Sequence, residues 1–248
     1  MSGRNIVLAA GGTGGHLFPA EALAQELQER GHRLVLVTDR RGARHSHTLA
    51  NLETHTIRAG TFSGGAGKKI GGLMNIVAGV FQARALLPRL QPHVVVGFGG
   101  YSSLPTMLAA ARLGAPAAIH EQNAVLGRVN RLLARRVNAI AVTFKQTERF
   151  EPDTRKEVVV TGTPVRPEVL SYRDQAYRGP DATGPIKLLV FGGSQGANVF
   201  SKVVPAALAT LEENQRTRLR VVQQCRIEDL EGVRKAYYNA GINADLAT

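Results

Sequence analysis

The 248-residue sequence contains one cysteine, no tryptophan and only 5% aromatic residues. The single Cys225 excludes a disulfide framework and any multi-cysteine metal site, and it favours a reducing compartment. Hydrophobic residues still make up 44% of the chain. This content excludes a disordered protein and supports a sizeable core built from Ala, Val and Leu.

Acidic residues are also scarce, since 19 Asp and Glu stand against 31 Lys and Arg, for a formal net charge of +12. Such an excess suits nucleic acid, an anionic membrane surface or phosphorylated substrates as partners. The sequence has no RNA-binding aromatic signature, zinc-finger spacing or basic zipper, so we expect no nucleic-acid partner. It has no Asp-x-Asp pair to hold a divalent ion on a diphosphate, so we expect no metal and no cofactor.

Long apolar runs are missing as well. The best candidate, residues 70–81, runs into Gln82 and Arg84, and it is shorter than the ~20 residues that span a bilayer. We therefore expect a chain that does not cross a membrane, although it can still lie on one. We also expect no signal peptide, because a core strand begins at Asn5 without a basic-then-apolar leader.

Short β-branched runs alternate with amphipathic helical stretches over the first 160 or so residues. Predicted strands cover residues 5–10, 34–38, 55–58, 94–96, 117–120, 139–142 and 158–161, and the main predicted helices cover 16–30, 73–87, 104–113 and 126–135. This alternation predicts an α/β fold with a parallel sheet and helices on both faces. We assign residues 1–163 to this Rossmann-like domain.

The same pattern restarts after a polar stretch at residues 171–185. Strands are predicted at 186–191 and 219–223, with helices ending near 211 and covering 228–240. Residues 11–15 and 192–196 share the pattern G-G-[ST]-x-G between a strand and a helix, which indicates a repeat. We assign residues 164–248 to a second Rossmann-like domain. It has too few elements to cover both faces of its sheet, so we expect a domain truncated at its C-terminus.

Three glycine-rich loops follow predicted strands, and each precedes a helix. Backbone N–H groups at such a turn approach an anion at the positive end of the helix dipole. One loop alone often serves only close packing, but three at corresponding places favour phosphate-bearing ligands. The dinucleotide fingerprint G-x-G-x-x-G fails because Leu17 occupies its last position. Asp39, at the end of the second strand, still leaves a nicotinamide-dependent oxidoreductase open.

Titratable residues cluster at predicted strand ends. His16 follows the first loop, and histidine suits a general base at neutral pH, although a residue there can also cap the turn or bind phosphate. His120 and Glu121 end a strand at the sheet edge that carries sites in such folds. Arg166 is a candidate to stabilise a departing diphosphate, or an ordinary surface arginine.

Apolar residues recur at helical spacing next to a basic pair. They are Ile70, Met74, Val77 and Phe81, and they follow Lys68 and Lys69. Periodicity alone is typical of a core-facing helix. The flanking cations also permit an interfacial helix on anionic lipid.

The motifs, taken in order, resemble those of the MurG family of glycosyltransferases. They are GGTGGHLFP at 11–19, GGYSSLP at 99–105, HEQN at 120–123 and GGSQGA at 192–197. The resemblance runs from about Arg4 to the end. It implies a GT-B fold and inverting transfer of N-acetylglucosamine from UDP-N-acetylglucosamine to the C4 hydroxyl of undecaprenyl-diphosphate-linked N-acetylmuramyl-pentapeptide. That reaction converts lipid I to lipid II for cell wall biogenesis, and so for cell shape and division. The resemblance also implies a peripheral enzyme on the cytoplasmic face of the inner membrane.

The resemblance also implies roles for individual residues. Donor contacts are expected at Thr13, Gly14, Gly15, Asn123, Arg166 and Ser194. Contacts with the acceptor diphosphate are expected at Gly14, Gly15, Gly99, Gly100, Tyr101 and Ser103. His16 becomes the candidate base for the acceptor hydroxyl. A membrane-facing patch is expected at Lys68, Lys69, Ile70, Met74, Val77 and Phe81.

Two departures from the family pattern matter. Thr163 stands where the family usually has Asn, so hydrogen bonding there is expected to differ. The family's uridine and sugar pocket lies mostly beyond the position of Thr248. We therefore expect this chain to bind donor poorly, which leaves open a non-catalytic, lipid-diphosphate-binding fragment.

Overall fold

The computed structural model describes residues 3–12, 14–45, 52–61, 65–149, 157–193 and 197–248. The chain divides into two compact units, Met1–Arg173 and Asp174–Thr248. Both units contain a parallel sheet with helices, so the predicted α/β class is confirmed.

The first unit has a seven-stranded sheet. Its strands are β1 (Asn5–Ala9), β2 (Arg33–Thr38), β3 (Glu53–Thr56), β4 (Val94–Gly97), β5 (Ala117–Glu121), β6 (Ala139–Val142) and β7 (Glu157–Val160). The order across the sheet is β3-β2-β1-β4-β5-β6-β7, and each pair is parallel. The chain therefore adds β2 and β3 on one side of β1, and then adds β4 to β7 on the other side. The carboxyl ends of β1 and β4 flank the point where the strand order reverses.

Helices cover both faces of this sheet because its central strands are apolar on both sides. They are α1 (Gly14–Glu29), α2 (Arg40–His45), α3 (Ala66–Leu90), α4 (Gly100–Leu113), α5 (Arg128–Ala134) and α6 (Pro167–Leu170). Alternation along β1 sends Val7 into a core with α3, α4 and α5, and sends Leu8 into a second core with α1. Such two-sided burial is the pattern of a parallel sheet.

Helix α3 is longer than the sequence predicted. The segment Gly67–Leu90 has a mean hydropathy of 1.5, so by length and composition alone α3 could cross a bilayer. The expectation that the apolar run is too short was therefore wrong. One side of the helix nevertheless belongs to the core through Ile76, Ala83 and Leu87. A membrane-spanning α3 would have to abandon that packing.

The other side of α3 is exposed. Ile70 is 61%, Met74 68%, Val77 47% and Phe81 65% exposed. The core interpretation of this apolar stripe is therefore wrong. The helix has two apolar faces, and only one of them is packed in this structure.

The second unit has a three-stranded sheet of order β10-β9-β8. Its elements are β8 (Ile186–Val190), α7 (Asn198–Ala209), α8 (Glu213–Arg216), β9 (Leu219–Gln224), a 3-10 turn at Ile227–Asp229, α9 (Leu230–Asn239) and β10 (Asn243–Ala247). Its core packs around Val221, Val233 and Tyr237. The hydroxyl of the buried Tyr237 donates a hydrogen bond to Gln223 Oε1.

Candidate active site

The first two glycine loops meet at the reversal point of the large sheet. Gly11 and Gly12 follow β1, and Gly99 and Gly100 follow β4, its neighbour in the sheet. Ligands of open α/β sheets bind at this crevice outside the strand ends. Gly99 has φ 82° and Gly100 has φ 70°, a region that residues with a Cβ rarely adopt. The sequence therefore needs glycine here to turn β4 into α4.

The ring of His16 packs against the second loop. His16 lies in the first turn of α1, and a Cβ added to Gly100 would lie 3.0 Å from its Cδ2 and 3.2 Å from its Nε2. A pocket of about 280 Å³ opens beside this contact. Its lining residues are His16, Gly99, Gly100, Tyr101, Glu121, Asn123, Gly127, Arg128, Val129 and Asn130.

A chain of hydrogen bonds fixes the protonation state of His120. Its Nε2 lies 2.9 Å from the carbonyl oxygen of Gly162, which can only accept, so Nε2 carries a proton. The amide nitrogen of Gln122 donates to the carbonyl oxygen of His120 at 3.1 Å and lies 3.0 Å from its Nδ1. Because this amide nitrogen is a donor, Nδ1 of His120 is the acceptor and the ring is neutral.

The pKa of His120 agrees with this neutral form. Burial is the largest influence and lowers the pKa below its ordinary value. The bond to Gly162 and the charge of Glu121 act in the opposite direction without reversing the shift. His120 is buried, so an uncharged ring avoids the cost of placing a cation away from water.

The same series of hydrogen bonds determines the tautomer of His16. Once the amide nitrogen of Gln122 faces His120, its Oε1 faces Nδ1 of His16 at 3.1 Å. An amide oxygen only accepts, so His16 donates through Nδ1–H. A neutral His16 therefore keeps the lone pair of Nε2, the atom that faces the second loop. This is the tautomer that a general base in this pocket requires.

Glu121 anchors the segment that carries Gln122. Its carboxylate is buried and accepts four hydrogen bonds. The donors are the backbone N–H of Asn123 at 3.0 Å, Nδ2 of Asn123 at 2.8 Å, the N–H of Gly127 at 2.8 Å and Nδ2 of Asn130 at 2.9 Å. Burial is the largest influence on the pKa and raises it, but the four bonds together outweigh it and leave the pKa below its ordinary value. Glu121 is therefore a fixed anion that shapes the loop.

Arg166 lies beside the first loop through an aromatic contact. Its guanidinium carbon is 4.3 Å from the centroid of the Phe18 ring, a cation–π distance. Phe18 in turn packs so closely that a Cβ on Gly14 would lie 2.7 Å from its ring. The structure thus brings the cation suggested by the sequence to the start of α1.

The remaining predicted residues occupy different settings. Asn123 and Tyr101 line the His16 pocket. Ser103 is fully buried and its hydroxyl donates to the carbonyl of Gly100, so it supports the second loop from below. Thr13 and Ser194 lie outside the described residues, and their roles stay predictions. Gly14 and Gly15 begin α1.

The structure adds three features to the site predicted from the sequence. Arg128 adds a cation to the pocket at the start of α5. The Gln122 relay joins residues far apart in the chain. The hydroxyl groups of Thr163 and Thr143 are hydrogen-bonded at 2.7 Å. This bond joins the position where the family usually has Asn to the end of β6. A His–Glu–Gln sequence at the end of a strand gives a signal for the relay only once its partner at position 16 is known.

Asp39 does not fit the role that kept an oxidoreductase open. Its Oδ1 accepts the N–H of Gly42 at 2.8 Å, and its Oδ2 lies 3.2 Å from two guanidinium nitrogens of Arg41. The carboxylate caps α2 and is buried. A ribose hydroxyl would have to displace these bonds.

The third loop is described only at its two ends. Gly193 has φ 77°, and a Cβ on Gly192 would lie 2.5 Å from the backbone nitrogen of Ala197. The N–H of Gly192 donates to Oε1 of Gln224 at 3.3 Å. Within the described ranges no group of three or more His, Cys, Asp or Glu side chains is placed to hold a metal ion.

Two family domains match the chain. The glycosyltransferase family 28 N-terminal domain matches residues 6–142, and the family 28 C-terminal domain matches residues 187–248. These matches and the structural relatives confirm the GT-B class expected from the motifs.

Curated relatives and a solved structure agree with the family domains. A UDP-N-acetylglucosamine–N-acetylmuramyl-(pentapeptide) pyrophosphoryl-undecaprenol N-acetylglucosamine transferase of Paramagnetospirillum magneticum is 56% identical over 97% of this chain. A protein of the same name from Rhodospirillum centenum is 53% identical over 100% of it. The chain spans 65% of the length of each. The crystal structure of Acinetobacter baumannii MurG has a TM-score of 0.68 and 30% identity, covering 98% of this chain and 65% of its own.

Proposed function

Because the chain belongs to glycosyltransferase family 28, we propose that it carries the acceptor half of an inverting N-acetylglucosamine transfer. The donor is UDP-N-acetylglucosamine, and the acceptor is undecaprenyl-diphosphate-linked N-acetylmuramyl-pentapeptide. The names of the curated relatives supply this pair of substrates. Protein of the full length of those relatives would complete the reaction.

The position of His16 is the observation that carries the proposal. Its Nδ1–H is held by Gln122 and its Nε2 faces the loop at Gly100. In the proposed step, the C4 hydroxyl of the muramyl residue attacks the anomeric carbon of the donor. The hydroxyl proton moves to Nε2 of His16, and the bond from the anomeric carbon to UDP breaks with its electron pair on UDP.

The two loops and Arg166 supply the electrostatic part of this mechanism. The N-termini of α1 and α4 point toward the reversal point and favour the acceptor diphosphate. Arg166, held on Phe18, is the cation proposed for the donor side, where charge develops on the departing UDP. Asn123, Gly14 and Gly15 remain donor contacts in this proposal, together with Thr13 and Ser194.

We further propose that the exposed face of α3 rests on the anionic cytoplasmic surface of the inner membrane. The supporting observation is the exposure of Ile70, Met74 and Phe81. Lys68 and Lys69 begin the same helix and are exposed, so they can meet lipid phosphates at the edge of the apolar face. This placement would bring the acceptor's diphosphate, which lies at the membrane surface, to the loops.

The proposal is tested by UDP release with both substrates present. The chain extended to the full length of its relatives should release UDP only with a muramyl-peptide lipid acceptor, and His16→Gln should slow release by about a hundred-fold or more. His55→Gln is the control, because His55 lies on β3 away from the loops. Binding of NADPH without UDP release would contradict the proposal.

A further inference from the structure

A second cavity in the first unit lies at the carboxyl ends of β2 and β3. Its volume is about 1200 Å³, against about 280 Å³ for the His16 pocket. Its walls are the start of α2, the segment after β3 and one side of α3. Lys68 is the one lining residue that the proposed function already uses, at the membrane surface.

The wall between β3 and α3 is tightly built. A Cβ on Gly79 would lie 1.9 Å from the carbonyl oxygen of Arg58, and a Cβ on Gly72 would lie 2.3 Å from that of Thr61. Only glycine lets the backbone of residues 58–61 cross α3 this closely. The N–H of Arg58 also donates to Oε1 of Gln82 at 2.8 Å. The cavity is thus bounded by packed backbone.

The cavity is strongly basic. Arg40, Arg41, Arg58 and Lys68 line it, against the single carboxylate of Asp39. That carboxylate is already paired with Arg41 and caps α2. In the described part of the chain, no carboxylate lies within ion-pair distance of the other three cations. Such a concentration of one sign of charge attracts ligands with several negative charges.

The cavity adjoins the first loop. A Cβ on Gly11 would lie 3.1 Å from Oδ1 of Asp39, and one on Gly42 would lie 2.9 Å from the Cα of Gly11. The first loop therefore packs directly on Asp39, which also lines the cavity. The volume exceeds the ~300–1,000 Å³ typical of small-molecule pockets, so a lone phosphate would leave it mostly empty.

We propose that this cavity binds the peptide arm of the acceptor through its carboxylates. The inference rests on the proposed function, which supplies a muramyl-peptide acceptor. A peptide attached through its amino end has a free terminal carboxylate, and any acidic side chain adds further charge. Arg40 and Arg58 donate charge-assisted hydrogen bonds to these groups, and the amide of Asn75 can pair with the peptide backbone.

The test compares two soluble ligands by calorimetry. One is N-acetylmuramyl-pentapeptide, and the other is the same molecule with every carboxylate converted to an amide. The chain should bind the acidic ligand at least about ten-fold more tightly, as expected for one charge-assisted hydrogen bond. Gly71→Glu should abolish this preference by placing a carboxylate in the cavity.

The matched control is Gly232→Glu. Both glycines lie in helices, neither has an atom within 4 Å of an added Cβ, and both changes add the same charge. Glu is also a better helix former than Gly, so both variants should fold. Gly232→Glu should keep the preference for the acidic ligand, because Gly232 is not among the residues that line the cavity.

Equal binding of the two ligands by the unaltered chain would overturn the inference, as would equal behaviour of the two variants. A further outcome is that Gly71→Glu weakens binding of inorganic phosphate or of phosphatidylglycerol vesicles while leaving binding of the peptide ligand unchanged. In that case the cavity binds a phosphate or a lipid headgroup, and the inference also fails. A peptide-free acceptor analogue, a short-chain prenyl diphosphate carrying muramic acid, separates the two proposals. Its failure to bind would count against the proposed function itself.

Discussion

Nδ1 of His16 lies 3.1 Å from Oε1 of Gln122, although 106 positions separate the two residues in the sequence. The contact joins the first turn of α1 to the loop after β5, across the reversal point of the sheet. It matters because Gln122 is itself oriented by His120. The carbonyl oxygens of Gly162 and His120 can only accept hydrogen bonds. They therefore determine which atom donates in each hydrogen bond that links His120, Gln122 and His16.

The first prediction concerns the His16 tautomer. Replacing Gln122 by Leu removes the acceptor for Nδ1–H, so His16 should shift toward the Nε2–H tautomer that the free histidine side chain favours. Nitrogen chemical shifts from long-range proton–nitrogen NMR spectra would measure this change. His55 is an internal reference, because its partner is Glu53. Unchanged His16 shifts in Gln122→Leu would show that Gln122 does not set the tautomer.

The second prediction concerns pH and stability. The pKa of His120 is lowered from 6.5 in the folded chain, so the unfolded chain takes up a proton first as pH falls. The free energy of unfolding should therefore be constant above about pH 6.5 and decrease below it, until the folded state also binds the proton. Urea unfolding between about pH 7.5 and about pH 5 would measure the slope.

His120→Gln provides the comparison for that slope. Its amide can still donate to Gly162, but it does not titrate, so the loss of stability below about pH 6.5 should be smaller. Glu121 should not contribute in this window, because its lowered pKa keeps it ionised there and its stabilisation is lost only at more acidic pH. An identical slope in both proteins would rule out His120 as its source.

The third prediction separates anchoring from proton transfer at Glu121. Glu121→Gln keeps the shape but turns an amide nitrogen toward existing donors, so it should lower the free energy of unfolding by about 3 kcal/mol. The urea midpoint is the measurement. Glu231→Gln, at an exposed position of α9, should change stability by less than about 0.5 kcal/mol. A stable Glu121→Gln protein without activity would instead indicate a direct chemical role.

The fourth prediction uses two glycines with nearly equal backbone angles. Gly100 has φ 70° and Gly114 has φ 68°, so alanine at either position should cost about 1–2 kcal/mol of stability. Only at Gly100 does the new methyl group meet His16, since nothing lies within 4 Å of a Cβ on Gly114. Gly100→Ala alone should therefore lose binding of the short-chain diphosphate acceptor analogue. Equal binding by both variants would remove Gly100 from the proposed site.

The fifth prediction concerns the exposed face of α3. Ile70→Glu and Phe81→Glu should each weaken binding to phosphatidylglycerol vesicles by about ten-fold or more, because each loses the burial of one large apolar side chain. Vesicle co-sedimentation is the measurement. Leu132→Glu is the control, since Leu132 is 45% exposed but lies on α5. Retained binding in both α3 variants would exclude this face as the membrane contact.

Much of the fold could be predicted because the central strands are apolar and glycines follow their carboxyl ends. The prediction was weakest at short or peripheral elements. Strand β3 is Glu53–Thr56, two residues before its predicted place, because its position is set by pairing with β2 and it has few apolar residues of its own. The short helices α2, α6 and α8 and strand β10 were missed for the same reason: local patterns over four to six residues carry little information.

In the candidate site, too, local features could be predicted and tertiary contacts could not. The loop glycines and His16 could be identified because strand ends and turn chemistry are local features. Glu121 was located, but its role was not, because its four donors come from a loop and a helix that fold back onto it. The contact of Arg166 with Phe18 likewise depends on tertiary packing. Periodicity misplaced the exposed face of α3 because an apolar stripe has the same pattern against a core or against lipid.

The side-chain amide of Gln122 has a last consequence for turnover. An amide oxygen is too weak a base to carry a proton onward, so it insulates His16 from His120 even as it orients both rings. A proton taken up at Nε2 of His16 therefore cannot pass to His120 through this amide, and we expect it to leave through the mouth of the pocket to water. Deprotonation of His16 between catalytic cycles would therefore have to wait until the product has left and water can enter the mouth of the pocket.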